Sequence, residues 1–386
     1  MNRVVHLIVG LRRGGAERAL SRLVEAQQQK GSEYEHVVIS LTDLGCYGEP
    51  MQGMGIRVHA LEMNGLLSVP FAMARLVKLL RILKPDVLHT WMYHADLIGG
   101  IASRFAGSMP VLWGIRSFDL KRGAKLSTRV VQRLCALMSS WLPTLILCVA
   151  EASRRNHIAL GYDERRMRVI PNGFDSNPPD VSAFDVASFR SQNNIRDEDI
   201  VIGCVGRFHP AKDHRNFVDA AALLVKEYPT SRFMMVGPGL DLNNEKLLSW
   251  IDCHGIRDRF TLLGERSDVP LCMSAMDIFC SPSRTEAFPQ VVGEAMLIGC
   301  PCVVTDVGDT AFVVGDTAVV VERENAPALA DGLAQFLRLS KSERKSRGRL
   351  ARERIRREFS LNRTVQLTLD AYEFALRSSK NVKGGV

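Results

Sequence analysis

Two carboxylates, Glu286 and Glu294, stand eight positions apart in SRTEAFPQVVGEAMLIGCPCVVTDVGD. Glu286 follows Pro282 at the end of an apolar run of strand length, with Ala287, Phe288 and Pro289 behind it. Eight residues is about two helical turns, so Glu294 falls on the inward face of the next helix. Carboxylates accept hydrogen bonds from vicinal hydroxyls, and two of them at different depths suit one ligand with a hexose at one end and a ribose at the other. Spacing alone also describes a surface glutamate followed by a helix N-terminal one favoured by the dipole. The apolar and glycine company of both glutamates argues against a solvated face.

A second constellation is GCVGRFHPAKDH, which puts Gly206 and Arg207 at the end of a strand and Lys212 five residues beyond Arg207. Ligands bind at strand ends of parallel sheets, and an arginine fork with a lysine point charge fits two phosphoryl groups. A pair of solvated surface cations has the same spacing. Gly14 and Gly15 follow the first strand-like run and open a helix at Ala16, where unpaired N–H groups and the helix dipole can meet a phosphate; a tight turn needing only small residues fits equally. The dinucleotide fingerprint G-x-G-x-x-G is absent at this turn, which counts against a nicotinamide enzyme. Cys300-Pro-Cys302 lacks a second ligand pair, and Asp197-Glu198-Asp199 reads D-x-D only beside a linker, so no metal and no cofactor is expected.

The elements that must hold these residues are short β-branched or aromatic runs alternating with helical stretches, the pattern of parallel sheets with crossover helices. The first half predicts strands over 4–11, 36–41, 86–91 and 110–115, with helices near 16–29, 71–83 and 95–105. The second predicts strands over 200–206, 232–238, 260–264, 278–283 and 301–306, with helices over 214–227, 244–254 and 290–298. Periodicity fades in IPNGFDSNPPDVSA, residues 170–183, which reads as a linker. The chain therefore divides into residues 1–175, 176–365 and a helical tail, 366–386, packing back on the first domain.

With 386 residues, 46% hydrophobic and 24% charged, the composition is that of a globular protein of about two domains. No apolar run reaches the roughly 20 residues needed to span a bilayer, and the start lacks a small-residue cleavage site after an apolar stretch, so a cytoplasmic protein is expected. The nine scattered cysteines suit reduced core thiols. A formal charge of +8 favours anionic partners. No aromatic-interleaved basic motif supports nucleic acid among them. Residues 121–138 carry Lys121, Arg122, Lys125, Arg129 and Arg133, with Leu126, Val130, Leu134, Leu137 and Met138 at helical spacing. That describes either a basic amphipathic helix lying on the inner, anionic face of the cell membrane or a core-packed helix with a solvated basic side.

The chain resembles the family-4 glycosyltransferases. Their paired glutamates followed by EAMxxGxPVVxTDxG appear here as EAMLIGCPCVVTDVG, and GGAER, HTWMYHADLIGGIASRFAG, IPNGFD, GRFHPAK, FMMVGPG and LGERSDVP extend the likeness over nearly the whole length. The resemblance implies the α/β GT-B fold, two Rossmann-like domains facing across a cleft, and metal-independent, retaining transfer from a nucleotide sugar. It implies that Arg207 and Lys212 hold the donor diphosphate, Glu286 the transferred sugar and Glu294 the ribose. Gly14 and Gly15 would form the loop near the phosphates and acceptor, and residues 264–269, with Gly264, Arg266 and Val269, the loop lining the base. Gly206, Gly237, Ala287, Phe288 and Pro289 complete the expected donor site. Many members carry a histidine just after the fourth strand, where this chain has Arg116; His94 is the nearest other imidazole. The expected donor is a UDP-linked hexose or N-acetylhexosamine, then GDP-mannose, and the acceptor a glycan or lipid-linked sugar of cell-surface polysaccharide synthesis. An epimerase or hydrolase of the same fold, or a non-catalytic anion-binding protein, is the alternative.

Overall fold

The computed structural model describes residues 1–12, 14–29, 33–117, 126–175 and 181–383. The chain divides into two compact units, Met1–Gly173 with Leu361–Val386, and Phe174–Ser360. The tail rejoins the first unit at Leu361 rather than at 366, because one continuous helix, Leu361–Lys383, starts there. The first crossing falls at Gly173/Phe174 rather than after 175.

In the first unit the strands are β1 (Asn2–Ile8), β2 (Tyr34–Ser40), β3 (Arg57–Ala60), β4 (Val87–Trp91), β5 (Val111–Ile115), β6 (Leu145–Cys148) and β7 (Met167–Val169). All pair in parallel, in the order β3-β2-β1-β4-β5-β6-β7. The second unit has β8 (Ile200–Val205), β9 (Ser231–Val236), β10 (Phe260–Leu262), β11 (Ile278–Ser281), β12 (Cys302–Thr305) and β13 (Val319–Val321), also parallel, in the order β10-β9-β8-β11-β12-β13. Helices cover both faces, so central strands such as β4, β5 and β12 are buried throughout. Strands β3, β6, β7 and β13 are additions to the sequence reading. Each has only three or four residues; β3 and β7 carry an arginine inside them, and β6 hides in the apolar run after the preceding helix.

The strand order reverses direction between β1 and β4 in one sheet and between β8 and β11 in the other. At such switch points the connections leave to opposite faces and open a crevice beyond the strand C-termini. Gly14 and His94 follow β1 and β4; Arg207 and Glu286 follow β8 and β11. The topology therefore collects the candidate residues of each unit at its own crevice.

The first unit buries an unusual group of rings. His6, His36 and His89 sit in β1, β2 and β4 with no more than 4% of their surface exposed. His6 Nε2 lies 3.1 Å from His36 Nδ1, Trp91 Nε1 donates to His6 Nδ1 at 3.3 Å, and His89 Nδ1 meets the Tyr372 hydroxyl of the C-terminal helix at 2.9 Å. Burial lowers all three imidazoles, His36 to about 4, and the other two well below the ordinary histidine value. In the unfolded chain each titrates near 6.5. The unfolded state therefore takes up protons first as pH falls, and these groups contribute stability that is complete above pH 6.5 and drains away toward pH 4. Urea unfolding across that window should give a falling stability whose pH slope is shallower in His36→Gln; equal slopes would mean that His36 carries none of it.

Candidate active site

At the crevice of the second unit, β8 runs into Gly206 and Arg207, and the chain then makes a short helical turn, Pro210–Lys212, in which the Ala211 N–H donates to His209 Nδ1 at 3.2 Å. Gly206 N–H donates to the Val236 carbonyl and Phe208 N–H to that of Pro238, both at 2.8 Å, so the ends of β8 and β9 stay zipped past the strands. Gly237 adopts φ +142°, and a Cβ there would stand 2.1 Å from the Gly206 carbonyl oxygen. Only glycine permits that approach.

Lys212 Nζ reaches Glu286 Oε1 at 2.5 Å, and the Ser283 hydroxyl donates to the same oxygen at 2.7 Å. Thr305, at the end of β12, donates to the Ser283 carbonyl at 2.6 Å. Gly308, with φ +57°, lies so close under the Glu286 carbonyl that a Cβ would come within 2.0 Å. Beside this pair, Arg284 binds the buried Asp213 at 2.8 Å and Glu324 at 3.2 Å, tying the lysine turn to the glutamate loop. Exposed ion pairs are worth about 0–1 kcal/mol, and partly buried ones lose much of their Coulomb gain to desolvation. With side chains 25% and 14% exposed, Lys212 and Glu286 form a positioned pair more than a stabilising one. They line a cavity of about 210 Å³ with Ser283, Phe288, Pro289 and Gln290.

The remaining donor-site candidates of this unit do not line this cavity. Arg207 is exposed at the end of β8 and forms no ion pair with a described residue. Glu294 is half-buried on the helix Gln290–Ile298, one turn beyond the cavity-lining Gln290. Ala287 gives its carbonyl to Asp309 N–H at 3.3 Å. Gly264 has φ +63° and accepts Gly237 N–H at 2.7 Å, which brings the base-loop candidates to the tip of β9. Arg266 turns back on Asp268, with bonds of 2.8 and 2.6 Å, and Val269 begins a short helix. Ser283, Asp213 and Arg284 were not singled out in the sequence; SRTE contains two of them, but their partners are set by folding. Asp199 of the D-x-D is buried against Arg196 and Arg232 and serves the fold. Among the described residues no group of three or more His, Cys, Asp or Glu side chains is placed to hold a metal ion.

In the first unit Gly14 and Gly15 are exposed at the start of the helix Gly15–Gln29. His94 is half-buried in the first turn of the helix Tyr93–Ala106, and burial lowers its imidazole below the usual value. Arg116 follows β5, with its guanidinium 4.3 Å over the Trp91 ring and an N–H donated to Asn172 Oδ1 at 2.7 Å. Burial lowers it to about 10, so it remains a cation at neutral pH and is no base. Of the basic stretch 121–138, Lys121, Arg122 and Lys125 lie outside the described residues. The rest forms the helix Leu126–Met138, which buries Gln132, Cys135 and Ala136. Leu126, Val130, Leu134 and Leu137 are exposed, Leu126 at 77% and Leu137 at 76%. The helix thus packs Val131, Cys135, Ala136 and Met138 into the core of this unit and leaves Leu126, Val130, Leu134 and Leu137 outside that face.

Two family models together span most of the chain: Glycosyltransferase Family 4 over residues 13–177 and Glycosyl transferases group 1 over 185–354. The chain belongs to the family-4 glycosyltransferases. An Escherichia coli relative, UDP-Gal:alpha-D-GlcNAc-diphosphoundecaprenol alpha-1,3-galactosyltransferase, is 29% identical over 237 residues, 60% of this chain and 60% of that enzyme. The chain thus spans about 60% of that relative's length. Putative glycosyltransferase EpsF of Bacillus subtilis is 25% identical over 79% of both chains. Among solved structures, Anabaena HepE in complex with UDP and glucose superposes with a TM-score of 0.83 at 22% identity, over 97% of this chain and all of that one. The likeness fixes the GT-B fold for the transferase, and the enzyme class follows from the families.

Proposed function

We propose that the transferase moves a hexose or N-acetylhexosamine from a UDP-sugar to a lipid-linked or glycan acceptor, with retention at the anomeric carbon. The observation that carries this is the Lys212–Glu286 pair at the β8/β11 crevice, with Arg207 beside it. An ammonium has three donors, so Lys212 can keep Glu286 and still reach a diphosphate oxygen. Arg207, which forms no ion pair among the described residues, supplies the second cation. Glu286 would accept sugar hydroxyls and Glu294 those of the ribose. UDP rests on the E. coli relative named for UDP-Gal and on HepE, solved with UDP and glucose. GDP-mannose is the second choice, with a Rhizobium meliloti lipopolysaccharide core mannosyltransferase 29% identical over 180 residues.

Arg116, held as a cation, leaves the position after β5 without a general base. Transfer on one face of an oxocarbenium-like sugar needs none from the protein, because the departing phosphate oxygen can take the acceptor's proton. Two cations then do the electrostatic work on the leaving group. Arg207→Ala and Lys212→Ala should each lower turnover by about 100-fold or more, the cost of removing one preorganised stabiliser; near-normal turnover in both would remove the diphosphate assignment. Proton NMR of the first-formed product should show an alpha linkage from an alpha-linked donor, and activity should persist in EDTA. A beta product, or activity lost to chelation and restored by manganese, would sink the reading.

The acceptor side carries its own support. Leu126, Leu137 and Trp141 are exposed at 77%, 76% and 52%, with Arg129 and Arg133 on the same helix and Arg104 over the Trp141 ring. Apolar side chains among cations suit shallow insertion into an anionic leaflet, where a lipid-linked acceptor would be presented. No helix among the described residues is long and apolar enough to cross a membrane. The transferase should float with vesicles rich in anionic lipid, and Leu126→Ser/Leu137→Ser/Trp141→Ser should stay in solution; equal flotation would exclude this face.

A further inference from the structure

The donor-site residues lie beyond the C-terminal ends of β8 and β11. A second cavity, about 410 Å³, opens at the other end of the same sheet. It is bordered by Asp277, which precedes β11, and by Pro301, which precedes β12. Strand β8 is six residues long, so roughly 20 Å of strand separates the two ends at about 3.3 Å per residue. This volume falls within the range of small-molecule sites, roughly 300–1,000 Å³.

Three cations line it without an acid of their own. Arg344 is only 7% exposed, forms no ion pair with a described residue, and leaves its buried Nε without a hydrogen-bond partner. One of its terminal nitrogens donates to the Leu339 carbonyl at 2.5 Å and to that of Phe336, in the last turn of the preceding helix, at 3.4 Å, which fixes the side chain in place. Lys341 and Lys345, one helical turn apart, are exposed at the rim and are likewise unpaired among the described residues. The other charges do not cancel them. Asp277 is already taken by Arg190 at 3.1 Å and by Val201 N–H at 2.9 Å, which leaves Asp197 as the acid at the rim. Met273 and Met276 contribute apolar surface.

A buried guanidinium without a carboxylate is costly unless an anion completes it, and a fork flanked by two ammonium groups matches phosphate oxygens. We infer that this cavity is a second binding site, separate from the donor site, for a small soluble organic phosphate. The helix Gln290–Ile298 touches both places, with Gln290 in the donor cavity and Ile298 in this one.

Calorimetric titration of the full chain with inorganic pyrophosphate tests the inference. Wild-type protein should take up two equivalents, one at the Arg207 and Lys212 cations and one here. Lys341→Ala/Lys345→Ala should weaken one of them by about tenfold, the combined worth of two exposed charge contacts, and leave the other unchanged. Arg344→Lys should weaken the same one. As a control, Arg349→Ala/Arg356→Ala removes two exposed charges from the same helix outside the cavity and should change neither. Equal weakening by both double variants would reduce the effect to surface charge and overturn the site, as would binding that no variant alters. A single wild-type equivalent, lost in Lys341→Ala/Lys345→Ala, would keep this site and count against the donor reading instead.

Discussion

The contact between Lys212 and Glu286 exists because β8 and β11 are hydrogen-bonded neighbours although β9 and β10 lie between them in the chain. A parallel sheet needs a crossover after every strand, and where the crossovers diverge to opposite faces the two strand ends are left uncovered. The rest of this unit serves that opening. Gly237 lets β9 close on Gly206, Gly308 lets the loop after β12 pass beneath Glu286, and the Asp213–Arg284 pair locks the two loops together. A side chain at either glycine would push backbone, and the charges would separate.

Burial decides what the polar residues of the first unit can do. The imidazoles of His6, His36 and His89 are sealed among strands and the C-terminal helix, which keeps them neutral and structural. Arg116 is perturbed in the same direction and for the same reason, but a guanidinium begins so high that it remains charged, stacked on Trp91. The position where the family resemblance leads one to expect a histidine thus carries a fixed cation in this chain. A mechanism that needs no protein base is consistent with it.

The net positive charge is also resolved into separate uses. Some arginines are absorbed as carbonyl caps, as Arg354 is on Phe312 and Val313. Others stand with exposed leucines on the helix Leu126–Met138, or around the cavity at the N-terminal ends of β8, β11 and β12. Summed over the chain they give only +8 and a preference for anions; separated by the fold, they mark surfaces of different chemistry.

The sequence by itself determined the architecture, because strand-length apolar runs alternating with amphipathic stretches have few solutions other than parallel sheets under helices. It also marked Arg207, Lys212, Glu286 and Glu294, since the motifs around them are local and their order along the chain survives folding. Strands β3, β6, β7 and β13 escaped it, although β10, β11 and β12 are as short and were legible, because so short a run has no period of its own and is defined by the neighbour it pairs with. The apolar positions of the helix Leu126–Met138 showed the same limit: periodicity says that one face is apolar, and only packing says whether that face is covered. Ser283, Asp213 and Arg284, and Arg344 of the second cavity with no ion pair among the described residues, belong to the tertiary structure alone. Their roles rest on partners up to dozens of residues away, and on burial that raises the cost of a charge left unmatched, neither of which spacing along the chain records.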